Sequence, residues 1–493
     1  MKNSIFLASA HKGVFLRLLF RLIITIVFVD CLGVTVVSAN GGVVPENYPD
    51  AALINAGREL FFNETFDGNG RTCGTCHPED NNFTIDPRSI SKLPADDPLF
   101  IAERDGDNPL AYDFEKPELM RQVGLILENT DGFDDLEHNF TMRSVPHMLA
   151  MRTSITAPSD NAYDGTAQAP LERTGWSGDG SPTNLSVEPP LLGTLRDFTV
   201  GAISQHFTKT LNREAGVDFR LPTQDELDAL EAFMLSLGRQ EEFDDFSQIV
   251  MSDERADMGR RNYMGEDVEG VLNCNACHFN GGANTNPDFD FPTSVTPSAF
   301  EATNRSFTPR VEELIDQPGD LINEEPLPYD DGFGSGSDLF NAPTVIEAAD
   351  TGPFFHANQF DTVEGLVSFY ATQRHLINGE VLPPIVGLHD SQISNIGAFL
   401  RVLNADENAR SSIDLINRAK ELDSDEDRDT NLYLANTEID DALEVLAGGN
   451  LHSKEVVPLF KMASQFVGQR RLNNALENLH RIRSIMVDRS GVL

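Results

Sequence analysis

A mostly α-helical fold, built from two similar modules and a helical tail, is what this sequence predicts, on three observations. One short motif occurs twice, in "RTCGTCH" ending at His77 and in "NCNACH" ending at His278, about 200 residues apart. Each copy follows a stretch with apolar residues at helical spacing, "AALINAGRELFF" (51–62) and "ERADMGRRNYM" (254–264). Each is followed later by a second helix, with Leu227, Leu230, Phe233, Met234 and Leu237 on one face in the first module. In the second, Ile393, Ile396, Phe399, Leu400 and Leu403 share a face.

The motif carries the chemistry. Cys73, Cys76 and His77, and again Cys274, Cys277 and His278, have the spacing CxxCH, which holds a c-type haem covalently. Two thiols on one helical turn can each form a thioether to a haem vinyl, and the next histidine reaches the iron. Four cysteines could instead make a zinc site, or each pair a redox disulfide. The pairs are far apart in the chain, each has its own histidine, and no thioredoxin-like strand precedes either. Two covalently attached c-type haems are therefore expected, in two tandem cytochrome c-type haem domains with long irregular loops and a C-terminal helical extension.

In chain order, residues 1–39 read as an export signal. Lys2, Lys12, Arg17 and Arg21 supply the positive region, "LIITIVFV" the apolar core and Val37-Ser38-Ala39 a small-residue cleavage site. Asp30 interrupts the apolar run, so an uncleaved anchor is the alternative. Cys31 leaves with this segment, and every remaining cysteine then belongs to a CxxCH motif, which suits an oxidising periplasm. The signal carries four basic residues and one acidic one, so its removal takes the formal charge from −41 to −44. That acidity argues against nucleic acid or an anionic membrane as partner and permits docking of a basic electron carrier.

The first haem domain is expected over 45–245, the second over 246–404 and the helical extension over 405–493. "NETFDGNG" should break the opening helix before Cys73. Residues 153–190 and 281–340, rich in Gly, Pro, Asn, Asp and Ser, read as long loops. "NARSSIDLINRAKEL", "EIDDALEVL" and "LFKMASQFVGQRRLNNALENLHRIRSIM" read as helices separated by polar runs such as "DSDEDRD".

The order of these motifs resembles the bacterial di-haem cytochrome c peroxidase superfamily. "GRELFFNETFDGNGRTCGTCH" is similar to its opening, "RSVPHML" to its RNxPxL element, "GWSGDG" to its tryptophan segment and "FNAPTVIEAADTGPFFHANQFDTVEGLVSFY" to the stretch after its second haem. The resemblance covers roughly residues 50–404. It implies two cytochrome c domains facing each other, with a tryptophan and a calcium ion between the haems. Trp176 matches the tryptophan relay. Tyr370 matches the sixth ligand of the second haem, which is methionine in the peroxidases and tyrosine in the MauG-like branch. His356 matches a haem-pocket histidine that bonds a propionate. Thr351 and Pro353 match calcium ligands that act through backbone carbonyls, while Ser144 stands where the family has an asparagine ligand.

The distal face of the first haem departs from the family. In "LRDFTVGAISQHF" Phe198 and Ala202 occupy positions of the family's catalytic glutamine and proline, and no glutamate follows. A phenylalanine cannot move the proton that peroxide cleavage requires. An apolar face instead resembles the rubber oxygenases of this superfamily, which bind dioxygen. Gln205 or His206 could replace the missing group, and His138 could cap the iron. The expected function is thus a periplasmic, peroxidase-like di-haem oxidoreductase that takes peroxide or dioxygen as small-molecule oxidant, with a small redox protein as electron donor. The alternative is a non-catalytic electron-transfer cytochrome.

Overall fold

The computed structural model describes residues 51–103, 117–128, 141–152, 195–210, 212–240, 245–268, 273–283, 286, 306–307, 340–372, 376–377, 380–381 and 388–492. These residues are mostly helical, and each β ladder among them is a short two-stranded pair. Trp176, His138, the expected signal 1–39, the loop 153–190 and most of 281–340 lie outside the described residues. Among the described residues no helix is long and apolar enough to cross a membrane.

The first half contains α1 (Ala51–Asn63), the single turn α2 (Cys73–Cys76), α3 (Leu195–His206) and α4 (Gln224–Leu235). The break predicted after α1 is there, with Phe66 and Asp67 both at positive φ. Helix α4 starts at a capping box: Thr223 Oγ1 accepts from Glu226 N and Glu226 Oε2 accepts from Thr223 N. The second half contains α5 (Glu254–Tyr263), the single turn α6 (Cys274–Cys277), α7 (Val363–Thr372) and α8 (Asp390–Glu421).

The two halves use one packing device. A Cβ on Gly57 of α1 would lie 1.9 Å from the Ala229 carbonyl oxygen of α4, and one on Gly259 of α5 would lie 1.8 Å from that of Asn395 on α8. Only a residue without a side chain allows the backbones to approach this closely. Four residues beyond each glycine, an aromatic ring meets another placed four residues beyond the contacted carbonyl. Phe61 and Phe233 have centroids 5.2 Å apart, Tyr263 and Phe399 5.4 Å, both edge-on. Phe61 and Phe399 are fully buried, each worth about 1.5–3 kcal/mol by burial alone.

The tail continues with α9 (Asp425–Gly448), α10 (Val456–Gly468) and α11 (Leu472–Met486). It is not separate from what precedes it. Residue 404, the expected boundary, falls inside α8, a 32-residue helix about 48 Å long. Phe246, Phe399, Phe460 and Met486 belong to one core, and Val250–Met251 pairs antiparallel with Val487–Asp488. The first half has its own core around Phe61, Phe66, Ile203, Phe207 and Leu230. "DSDEDRD", expected to separate helices, instead opens α9: Ser424 caps it, and Asp425, Glu426 and Asp427 lie at the positive end of the helix dipole. The last expected helix is broken at Gln469–Arg471, where Arg470 has a φ of 56°.

The polar middle of α8 explains why no boundary forms at 404. Asn404, Asp406, Glu407 and Asn408 are at most 1% exposed, yet they lie in mid-helix. Asn404 Oδ1 accepts from the backbone N–H groups of Ala349 and Asp350. Asp406 is bonded by Arg483 and Arg489, and Glu407 by Arg239 and Arg410. Asn408 Nδ2 donates to Asp350 Oδ2 at 2.9 Å and to Glu438 Oε2 at 3.1 Å. Buried charges with such partners are tolerated, so the helix runs on.

Candidate functional site

Both cysteine–histidine motifs fold into the same object. Cys73–Cys76 and Cys274–Cys277 each form a single helical turn, closed by an N–H of the following histidine donated to the first cysteine carbonyl, at 3.0 Å for His77 and 2.9 Å for His278. The two histidines have nearly identical backbone angles, φ −126° and ψ 63° for His77 and φ −120° and ψ 65° for His278. Each ring is then fixed by a backbone carbonyl: Nδ1 of His77 lies 2.7 Å from Phe83 O, and Nδ1 of His278 lies 2.7 Å from Pro343 O. A carbonyl only accepts, so Nδ1 carries the hydrogen and Nε2 keeps its lone pair for a metal.

Burial sets the protonation of these groups. It pushes the Cys73 thiol up to about 12, with the neighbouring Cys76 adding to the rise, and the Cys274 thiol up to about 12. None of the four cysteines among the described residues forms a disulfide. Among the described residues no group of three or more His, Cys, Asp or Glu side chains converges for a metal ion. Burial lowers His77 to about 4 and lowers His278 as well, so both rings are neutral near pH 7.

The first turn opens onto a cavity with about 970 Å³ of empty space, open solvent at its mouth included. One wall carries Cys73, Cys76 and His77. Another is one face of α3, where Leu195, Phe198, Thr199, Ala202, Ile203 and His206 recur at helical spacing. Phe198 and Ala202 therefore face the same cavity as His77, and His206 does too. Burial, then the charges of Arg71, Arg213 and His77, push His206 down to about 3 and keep its ring neutral. Gln205, its neighbour, is not part of the lining.

The sequence reading missed two cations in this cavity. Arg71 and Arg143 are buried and line it. Arg71 donates to Leu99 O at 2.6 Å and Pro98 O at 3.3 Å, and Arg143 to Met142 O at 3.2 Å. Arg71 abuts the motif in "RTCGTCH", a signal that the cysteine spacing obscured.

At the second turn, Tyr370 on α7 is half-buried, and desolvation together with the nearby Cys277 and Cys274 drives its hydroxyl pKa upward. Tyr263, also missed, donates its hydroxyl to the His278 carbonyl at 2.5 Å and holds the loop from α5. His356 is half-buried and contributes its backbone carbonyl to Ser144 N at 2.8 Å.

The calcium positions are used differently. Ser144 Oγ donates to Phe355 O at 3.1 Å, and Thr351 Oγ1 donates to Glu347 O at 2.8 Å. The Thr351 and Pro353 carbonyls expected to bind calcium would need further oxygens to reach the six that a hard cation takes. No protein-family model and no curated protein matches this chain.

Proposed function

We propose that this chain is an exported, periplasmic di-haem c-type oxidoreductase, peroxidase-like, built from two tandem cytochrome c-type domains and a helical extension. The observation that carries the reading is the double one: two CxxC turns, each followed by a histidine whose Nδ1 is fixed 2.7 Å from a backbone carbonyl, with Nε2 left for iron. Cys73 and Cys76, and Cys274 and Cys277, would hold the haems through thioethers, and His77 and His278 would bind the irons. Bound haem supplies one-electron redox chemistry and a site for an oxygen species.

The chain's own residues set the terms at the first site. Arg71 and Arg143 line the cavity and would make it favour a ligand that carries carboxylates. Phe198, Ala202 and Ile203 exclude water from one face. His206, neutral because it is buried, accepts the first proton of a peroxide, the acid–base role that Phe198 cannot fill. At the second site Tyr370 presents a phenol oxygen, which favours ferric iron. A small redox protein docking on the acidic surface would supply electrons.

One observation favours a second reading, a non-catalytic electron-transfer cytochrome. A neutral imidazole in the cavity, His206, can also cap the iron and close it to oxidants. The spin state of the purified ferric protein separates the two. A high-spin signal that changes on adding peroxide supports the oxidoreductase; two low-spin centres inert to peroxide and dioxygen support the cytochrome.

A further inference from the structure

The segment "DGNG" (67–70) does more than end α1. A helix leaves its last carbonyls without partners inside the helix. At the end of α3 the partners come from this other segment. Asn69 Nδ2 donates to His206 O at 2.9 Å and to Thr208 O at 3.0 Å, and the Asn69 backbone N–H donates to Phe207 O at 2.8 Å. Three successive carbonyls thus rest on one residue. Its neighbours make the approach possible: a Cβ on Gly68 would lie 2.3 Å from Phe207 O, and Gly70 has a φ of +100°, where a side chain is strained. The Phe66 and Phe207 rings pack beside them with centroids 5.9 Å apart.

The same amide has a further partner, since its Oδ1 accepts from Arg71 N at 3.1 Å. His206 and Arg71, far apart in the chain, both line the cavity of the first motif. The opposite end of α3 is anchored separately. There Arg196, 4% exposed, donates to Gln224 Oε1 at 2.7 Å and pairs with Asp228, both on α4. The His206 end depends on the loop that leads into Cys73.

Resting on the oxidoreductase reading, in which His206 takes a proton, we propose that Asn69 is a positioning residue of the first site: its side-chain amide ties the His206 backbone to that of Arg71, so that imidazole and guanidinium keep fixed places on the cavity wall. Asn69 acts through His206. Asparagine suits the task because one planar amide both donates and accepts. Aspartate has the same shape but only accepts, so it can hold Arg71 N and cannot hold the end of α3.

The test follows deuterium uptake at the imidazole C2 carbon of individual histidines by mass spectrometry, in the full-length holoprotein near pH 7 without added oxidant. Asn69→Asp raises uptake at His206 by about tenfold, because losing hydrogen bonds of ordinary strength enlarges the locally open population by that order. His356 and His452, half-buried in other segments, keep the parent rates. Asn69→Ala, which puts no charge against the carbonyls, gives the same result and serves if the aspartate variant does not fold. Parent uptake at His206 in a folded variant overturns the proposal. So does an equal rise at all three histidines, which would make Asn69 a support of the whole fold. The reading beneath it fails separately: the same spectra count attached haems, and fewer than two overturn the di-haem reading while uptake at His206 still decides the role of Asn69.

Discussion

Glu438 on α9 is a carboxyl whose charge opposes folding, and replacing it by glutamine should make the protein more stable at alkaline pH. Burial pushes its pKa from 4.5 up to about 7, against hydrogen bonds from Asn408 and Ser411 that favour the charged form; the nearby Asp350 adds to the rise. The folded state therefore holds its proton where the unfolded chain has lost it, so stability falls as pH rises between about 4.5 and 7. Below that window the carboxyl is neutral in both states and nothing is lost. Above it the loss is complete, about 3 kcal/mol at about 1.4 kcal/mol per pH unit. Glu438→Gln keeps an acceptor for the Asn408 amide, 3.1 Å away, and removes the charge. Scanning calorimetry of parent and variant at pH 4.5 and pH 8 isolates this group, because Asp350 and Asp441, also raised by burial, are common to both proteins. The variant should match the parent at pH 4.5 and melt higher at pH 8. An equal loss in both proteins between these pH values would refute the reasoning.

Three other predictions follow from the sites and their supports. Gly259→Ala places a methyl 1.8 Å from the Asn395 carbonyl oxygen and should destabilise the fold by about 1–3 kcal/mol; an unchanged melting temperature would mean that α5 and α8 can separate freely. His206→Ala should slow reaction with peroxide by about 10²–10⁴-fold while leaving the ferric spectrum alone, measured by stopped flow. A switch from low-spin to high-spin iron in that variant would make His206 a ligand and favour the cytochrome reading. Tyr370→Phe should change the visible spectrum of the second site and raise its potential, and an unaltered spectrum would remove Tyr370 as a ligand.

Much of this architecture was legible because it rests on local chemistry. The CxxCH spacing located both turns, and the apolar spacing located α1, α4, α5 and the first half of α8 within a residue or two. The helix α3 was not read from the sequence; the family resemblance alone singled out Phe198, Ala202 and His206, which the fold then sets on one face. What could not be read depends on partners distant in the chain. Asn404 to Asn408 look like a helix end, because only the folded protein brings Asp350, Glu438, Arg239, Arg483 and Arg489 to satisfy them. The acidic run 425–429 looked like a linker because its gain comes from the dipole of the helix it starts. Arg71 and Arg143 were missed because their significance lies in a shared cavity. Ser144 was weighed as a weakened calcium ligand, whereas its hydroxyl and N–H bond the 355–356 backbone directly.

The account stands on covalent attachment at both cysteine pairs. Intact-mass analysis of the exported, denatured polypeptide, combined with a pyridine haemochrome spectrum, measures it directly. The prediction is a mass raised by two haems, both surviving acid–acetone extraction, with the additions mapping to Cys73/Cys76 and Cys274/Cys277. A polypeptide with unmodified thiols at either pair would contradict it.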